Sequence, residues 1–169
     1  MYPHLFKGEG QFVAKFRYLG ENRPAKIPSK KDQLSAEQKK WWQEFAKKHL
    51  KITLEGVLET FGDELYLVPL GLPDLRKVKI ARNGLHLGTF KKNRFEPSFG
   101  LALRPSEVKE TVSITPEDFV HYVAGETVQL KETHPNGWYQ VLVEGNGLGF
   151  AKVTGQTLKN FYPKGLRFR

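Results

Sequence analysis

The segment KVTGQTLKNFYPKGLRFR, residues 152–169, brings together the side chains best suited to chemistry with a polyanion. It holds Lys152, Lys159, Lys164, Arg167 and Arg169 with no acid among them. Phe161, Tyr162 and Phe168 are interleaved with these bases, beside Thr154, Gln156, Thr157 and Asn160. Lysine and arginine neutralise phosphates, and aromatic faces stack on exposed bases for ~1–3 kcal/mol each. Asparagine and glutamine hydrogen-bond base edges or sugar hydroxyls. The competing reading is that Phe161, Leu166 and Phe168 close a β barrel while the lysines stand in water. Packing is the stronger account of the aromatics, and RNA the stronger account of the unbalanced bases.

A second basic group, Lys91-Lys92-Asn93-Arg94, falls where a turn is expected. Loop-tip bases suit phosphates, although solvated turns look the same. Other chemistries find less support. The sequence has no cysteine, which excludes disulfides, thiolate metal sites and a cysteine nucleophile in this chain. No two of His4, His49, His86, His121 and His134 have the i, i+4 spacing of a helical zinc site. GEG at 8–10 and GLG at 147–149 complete no phosphate-binding glycine loop. No spacing pairs two carboxylates for proton transfer, though such pairs assemble in space.

The charge is segregated along the chain. The net charge is +9. Residues 76–104 hold eight bases and one acid, and residues 145–169 five bases and no acid. Between them, residues 105–144 hold two bases and seven acids. Such blocks are the electrostatic footprint of a polyanion-binding surface. A membrane surface fits less well, because the basic blocks read as strands and turns and not as an amphipathic helix.

The elements that must position these side chains follow from periodicity. At 169 residues, with 39% hydrophobic and 27% charged residues, the chain has the composition of a globular protein with a real core. No apolar run of transmembrane length occurs, and no secretory signal is visible at the start. Residues 11–18 alternate as a strand, and residues 20–33 read as a polar linker. Ser35 and Gln38 form a capping box ahead of a helix carrying Trp41, Trp42, Phe45 and His49 on one face. Strands are expected at 52–59, 64–69, 77–82 and 85–91, the last after the hairpin signal Asn83-Gly84. A short helix is expected at 97–104. A better one runs over 116–124, capped by Thr115, with Pro116 at its first position and Gly125 at its end. Strands 127–131, 138–144 and 148–154, parted by Pro135-Asn136-Gly137 and Gly145-Asn146-Gly147, suggest a small barrel.

Three segments carry a family resemblance. YPHLFKGEGQFVAKFR near the start resembles the end of the methyltransferase domain in bacterial Sun-family RNA 5-methylcytosine methyltransferases, the RsmF-like group. NGLHLGTFKKNRFEPSFGLAL resembles the segment that follows their catalytic core. GLGFAKVTGQTLKNFYPKGLR resembles the close of their PUA-like RNA-binding domain. The resemblance spans nearly the whole chain. It implies an accessory RNA-binding region, with ribosomal or transfer RNA as the substrate class. Those enzymes use two cysteines and an S-adenosylmethionine-binding domain, and this chain has neither. The resemblance thus implies a fragment or a separately encoded piece that performs no methyl transfer itself.

The expectation is therefore an α+β chain: an N-terminal strand and linker over 1–33, a small mixed unit over 34–110, and a PUA-like β barrel over 111–169. It is expected to be cytoplasmic, to bind rRNA or tRNA, to need no cofactor or metal of its own, and to serve a catalytic domain upstream or in trans. The expected RNA surface is Lys91, Lys92, Arg94, Lys152, Lys159, Asn160, Tyr162, Lys164 and Arg167. Tyr162 is expected to stack, and Asn160 to hydrogen-bond a base edge or a 2′-hydroxyl. The alternatives are a module docking an acidic protein and an independent enzyme with a carboxylate site.

Overall fold

The computed structural model describes residues 32–72, 84–103 and 107–168. The expected strands at 11–18 and 77–82, and nearly all of the linker, lie outside the described residues. The architecture is α+β, built on two sheets.

Helix α1, Ala36–His49, starts where the local chemistry dictates. The Ser35 side chain accepts from the Gln38 backbone N–H at 3.2 Å, and Gln38 Oε1 accepts from the Ser35 N–H at 3.0 Å. Two of the helix's orphan donors are thereby satisfied. Its inner face buries Trp42, Phe45 and His49. That face packs on a four-stranded antiparallel meander of β1 (Val57–Phe61), β2 (Glu64–Val68), β3 (Leu85–Lys91) and β4 (Arg94–Pro97). The first strand begins later than expected, at Val57, because residues 51–56 form no ladder. β4 has no counterpart among the expected strands; Arg94 and Phe95 pair back onto Lys91 and Phe90. Helix α2, Phe99–Ala102, follows at once, with the Ser98 hydroxyl accepting from the Leu101 N–H at 3.2 Å. Trp42, Phe45, Phe90 and Phe95 form an aromatic core with ring centroids 5.0 to 6.1 Å apart.

The second sheet has the order β5 (Thr111–Ser113), β6 (Val128–Val143), β7 (Asn146–Asn160). β5 runs parallel to β6, and α3, Pro116–Ala124, lies between them in sequence. Thr115 caps α3, and Gly125 ends it at φ 90°. The expected turn at Pro135-Asn136-Gly137 is absent: β6 continues through it with register shifts on either side of His134. Local turn propensity is overridden by pairing with β7, where the Gly155 N–H donates to Asn136 Oδ1 at 3.2 Å. The hairpin tip is Glu144-Gly145, with φ of 48° and 78°, as a type I′ turn demands. Among the described residues this sheet has three strands and closes no barrel.

β6 and β7 are buried on both faces near the tip. Tyr139, Val141, Ala151 and Val153 face a core with Val112, Tyr122, Val128 and Leu158. From the opposite face Phe150 joins the core of the first sheet, with Trp138 packed at its edge. Between them, Gln140 is fully buried and donates from Nε2 to the Ala102 carbonyl at 2.5 Å. A methyl group on Gly147 would stand 2.5 Å from that same carbonyl oxygen. Here α2, which follows the first sheet, meets the second. Gly147→Ala is accordingly expected to destabilise the chain by ~1–3 kcal/mol, the ordinary penalty for overpacking. Gly165→Ala, which meets nothing within 4 Å, is the control. Thermal or urea unfolding of the two variants checks the contrast.

His49 links α1 to the segment before β5. Its Nδ1 lies 3.0 Å from Glu110 Oε2, and burial lowers its pKa below the usual histidine value despite that carboxylate. The unfolded chain therefore binds the proton more readily than the folded one. Stability is full above the ordinary histidine pKa of about 6.5 and falls as pH drops through it. Melting temperatures between pH 7.5 and 5 should decline, and His49→Phe should remove that histidine's share of the decline.

Candidate nucleic-acid interface

The two basic groups occupy different structural settings. Lys91 and Lys92 sit at the β3–β4 hairpin end, both exposed, with Asn93 at φ 58°. Arg94 opens β4 and is exposed, but its Nε and Nη2 both lie 2.9 Å from Glu96 Oε1. The two residues are i, i+2 on one strand, so their side chains share a face. Asp63 and Glu37 line the same shallow hollow as Lys91 and Lys92, with Trp41 and Phe90 beneath. Acids thus stand next to this first group.

The second group is less balanced. Lys152 and Lys159 project from β7, and Lys164 from a 3-10 turn over Lys164–Leu166. All three are exposed, and none pairs with a carboxylate among the described residues. Lys152 stands directly opposite Trp138 across the β6–β7 ladder. Leu158 is buried in the second core, so its neighbour Lys159 leaves the strand on the other side.

The remaining expected residues are engaged within the chain. Asn160 Nδ2 donates to the Tyr122 carbonyl at 2.6 Å, and its Oδ1 accepts from the Tyr162 N–H at 2.7 Å. That amide anchors the C-terminal stretch to the end of α3. The Tyr162 ring lies edge-on between Phe99 and Tyr122, at 5.5 and 5.6 Å. Burial raises the Tyr122 phenol above its ordinary value, and its hydroxyl donates to the Phe150 carbonyl at 3.0 Å. Arg167 is half-buried, with Nη2 3.4 Å from the Tyr162 carbonyl and its guanidinium against Gly125. Its positive charge therefore lies at the C-terminal end of α3, where the helix dipole favours a cation. Phe168, expected to close a barrel, is 70% exposed, and Leu166 is exposed too.

Trp138 and Phe99, which the sequence does not single out, join the aromatics of this segment. Trp138 meets Phe161 in a T-shaped contact at 4.5 Å, and both are half-buried. Phe99 supports Tyr162 from the first sheet's side. The period-two alternation of β6 places Trp138 on the face opposite Tyr139, but periodicity cannot reveal its contact with a residue so distant in the chain. A roomier groove lies along α1, lined by Trp42, Leu50, Leu54 and Leu58 with Lys39, Lys47 and Lys51 at its rim. It has one carboxylate, Asp32, and so no acid pair for proton transfer. Among the described residues no group of three or more histidine and carboxylate side chains is placed to hold a metal. None of the described helices is long and apolar enough to cross a membrane.

The chain is similar to known proteins along nearly all of its length. Residues 44–104 match the family model of the RsmF rRNA methyltransferase first C-terminal domain, and residues 109–168 match that of the methyltransferase RsmF PUA domain. Ribosomal RNA small subunit methyltransferase F of Shewanella loihica is 24% identical over 181 residues, covering 98% of this chain and 36% of the relative. The protein of the same name from Erwinia tasmaniensis is 26% identical over 176 residues, covering 98% and 37%. The chain thus spans little more than a third of the length of these curated relatives. Two adjoining family models that together match most of the chain, and relatives aligned along nearly all of it, place it in the RsmF-like rRNA methyltransferase family, as a C-terminal region of proteins of that kind.

Proposed function

We propose that this chain binds RNA as the accessory substrate-recognition region of an rRNA or tRNA cytosine-5 methyltransferase. Recruitment and orientation of the RNA fall to it, and methyl transfer falls to a catalytic domain upstream or in trans that holds S-adenosylmethionine. The observation that carries this reading is the set of exposed, acid-free cations Lys152, Lys159 and Lys164 on the part of the chain that matches a PUA domain. The absence of cysteine supports the division of labour, since the family's chemistry uses two. In this proposal residues 34–110 and 111–169 act as two units, and the working compartment is the cytoplasm.

Within that surface the residues take different roles. Lys152, Lys159 and Lys164 hold phosphates, and Lys91 and Lys92 extend the track. Arg94 contributes less, because Glu96 already draws on its guanidinium. Asn160, Tyr162 and Arg167 are positioning residues: they fix the C-terminal stretch against α3 and so set where the lysines stand. Phosphate contacts supply affinity and register without reading sequence.

The salt dependence of binding tests the proposal. Each lysine that neutralises a phosphate of single-stranded RNA adds about 0.7 to the steepness of log K against log salt. The variant Lys152→Ala, Lys159→Ala, Lys164→Ala should therefore bind all RNAs more weakly, with a slope flatter by about 2. Fluorescence anisotropy over a salt series measures both effects. An unchanged slope, with intact thermal stability, would falsify the assignment of these lysines.

A further inference from the structure

We propose that Trp138 and Phe161, flanked by Lys152 and Lys159, form a receiving site for one unpaired nucleobase. The inference rests on the RNA-binding reading and adds a specificity element to it. Tyr162 is the stacking residue expected from the sequence, but Phe99 and Tyr122 both stand against its ring. Phe161 is differently placed: among the described residues Trp138 is the ring that meets it, and Phe161 packs in neither core cluster. The Trp138 and Phe161 rings meet edge to face at 4.5 Å with planes inclined by 67°, so each keeps at least one face that the other does not cover. Phe150 also meets Trp138 edge-on, at 6.4 Å and 86°. Both Trp138 and Phe161 retain solvent-accessible surface.

The charges fit a nucleotide. Lys152 is the direct cross-strand partner of Trp138, which sets their Cβ atoms ~5 Å apart. Lys159 precedes Phe161 by two residues and leaves β7 away from the second core. One cation thus stands opposite Trp138 and a second lies two residues before Phe161 in the chain, and neither has a carboxylate partner among the described residues. An aromatic face takes the base while an adjacent ammonium takes its phosphate, the combination used on single strands. A paired base in a duplex presents no face to stack upon, so the site selects unpaired nucleotides. Phe161 directly follows Asn160, whose two hydrogen bonds hold the strand end in place. The receiving ring is thus pre-positioned, which limits the ordering cost of binding.

The test uses the whole chain and short oligonucleotides, single-stranded and hairpin, carrying 2-aminopurine or 4-thiouridine at unpaired positions. Bound single strands should show quenched 2-aminopurine fluorescence, and 4-thiouridine crosslinks should map to peptides containing Trp138 or Phe161 in the unaltered chain. Trp138→Leu and Phe161→Leu should each weaken single-strand binding by about tenfold, the effect of losing one stacked base, and leave duplex binding and salt slope unchanged. Trp138→Phe should recover most of the loss. Because Trp138 also packs on the first core, the crosslinking of the unaltered chain keeps the test independent of folding in the variants. Binding that persists with unquenched fluorescence and crosslinks elsewhere overturns the base site while leaving the RNA reading standing. No RNA binding by the unaltered chain overturns both.

Discussion

A hairpin buried on both faces governs the rest of this structure. Residues Tyr139–Val141 of β6 and Phe150–Ala151 of β7 are all buried, with successive side chains entering different cores. A two-sided strand pair tolerates few polar groups, and each needs a partner. Gln140 meets that condition through Ala102, the last residue of α2. The bond is worth most for where it sits: a buried amide left without its carbonyl would incur the full desolvation penalty. Its other end, Oε1, has no partner among the described residues, so its side chain is satisfied by the one contact between α2 and the second sheet. Gly147 is small for the same reason, since the Ala102 carbonyl occupies the space a side chain would need.

The electrostatics follow from that frame. One hairpin end, near Lys91 and Lys92, has acids from α1 and the β1–β2 turn beside it and an internal Arg94–Glu96 pair. Surface pairs of this kind add little stability, but they engage cationic charge that would otherwise act on a ligand. Lys152 and Lys159 on β7, and Lys164 beyond it, pair with no carboxylate among the described residues. Net charge by sequence block therefore overstates the first group relative to the second. What distinguishes them is which charges the fold leaves unopposed.

Local chemistry was legible in the sequence, and distant contacts were not. The Ser35–Gln38 capping box and the Thr115–Gly125 bounds of α3 arise within a few residues of one another, so the sequence shows them directly. The β3 strand and the Lys91–Arg94 turn were equally readable. Pro135-Asn136-Gly137 misled because its turn propensity is a local statistic, and the ladder with β7 is a tertiary constraint that outweighs it. The role of Asn160 depends on Tyr122, 38 residues away, and that of Trp138 on Phe161. A list of bases and aromatics therefore does not separate the side chains that hold this segment in place from those that face outward.

The placement of Phe150 has a consequence for biosynthesis. The four-stranded sheet and α1 precede it in the chain, yet their core includes the Phe150 ring. A polypeptide made from the N-terminus cannot complete that core until β7 has emerged. The β6–β7 hairpin turns at Glu144-Gly145 alone, so it forms on a timescale of ~1–10 μs once both strands are available. Parallel pairing of β5 must instead enclose α3, a longer loop whose entropy is lost before the contacts repay it. Folding of this chain thus departs from the usual unit-by-unit order in which the N-terminal part settles first. Its earlier half waits on β6 and β7, and the seam between the sheets is sealed only after both have been made.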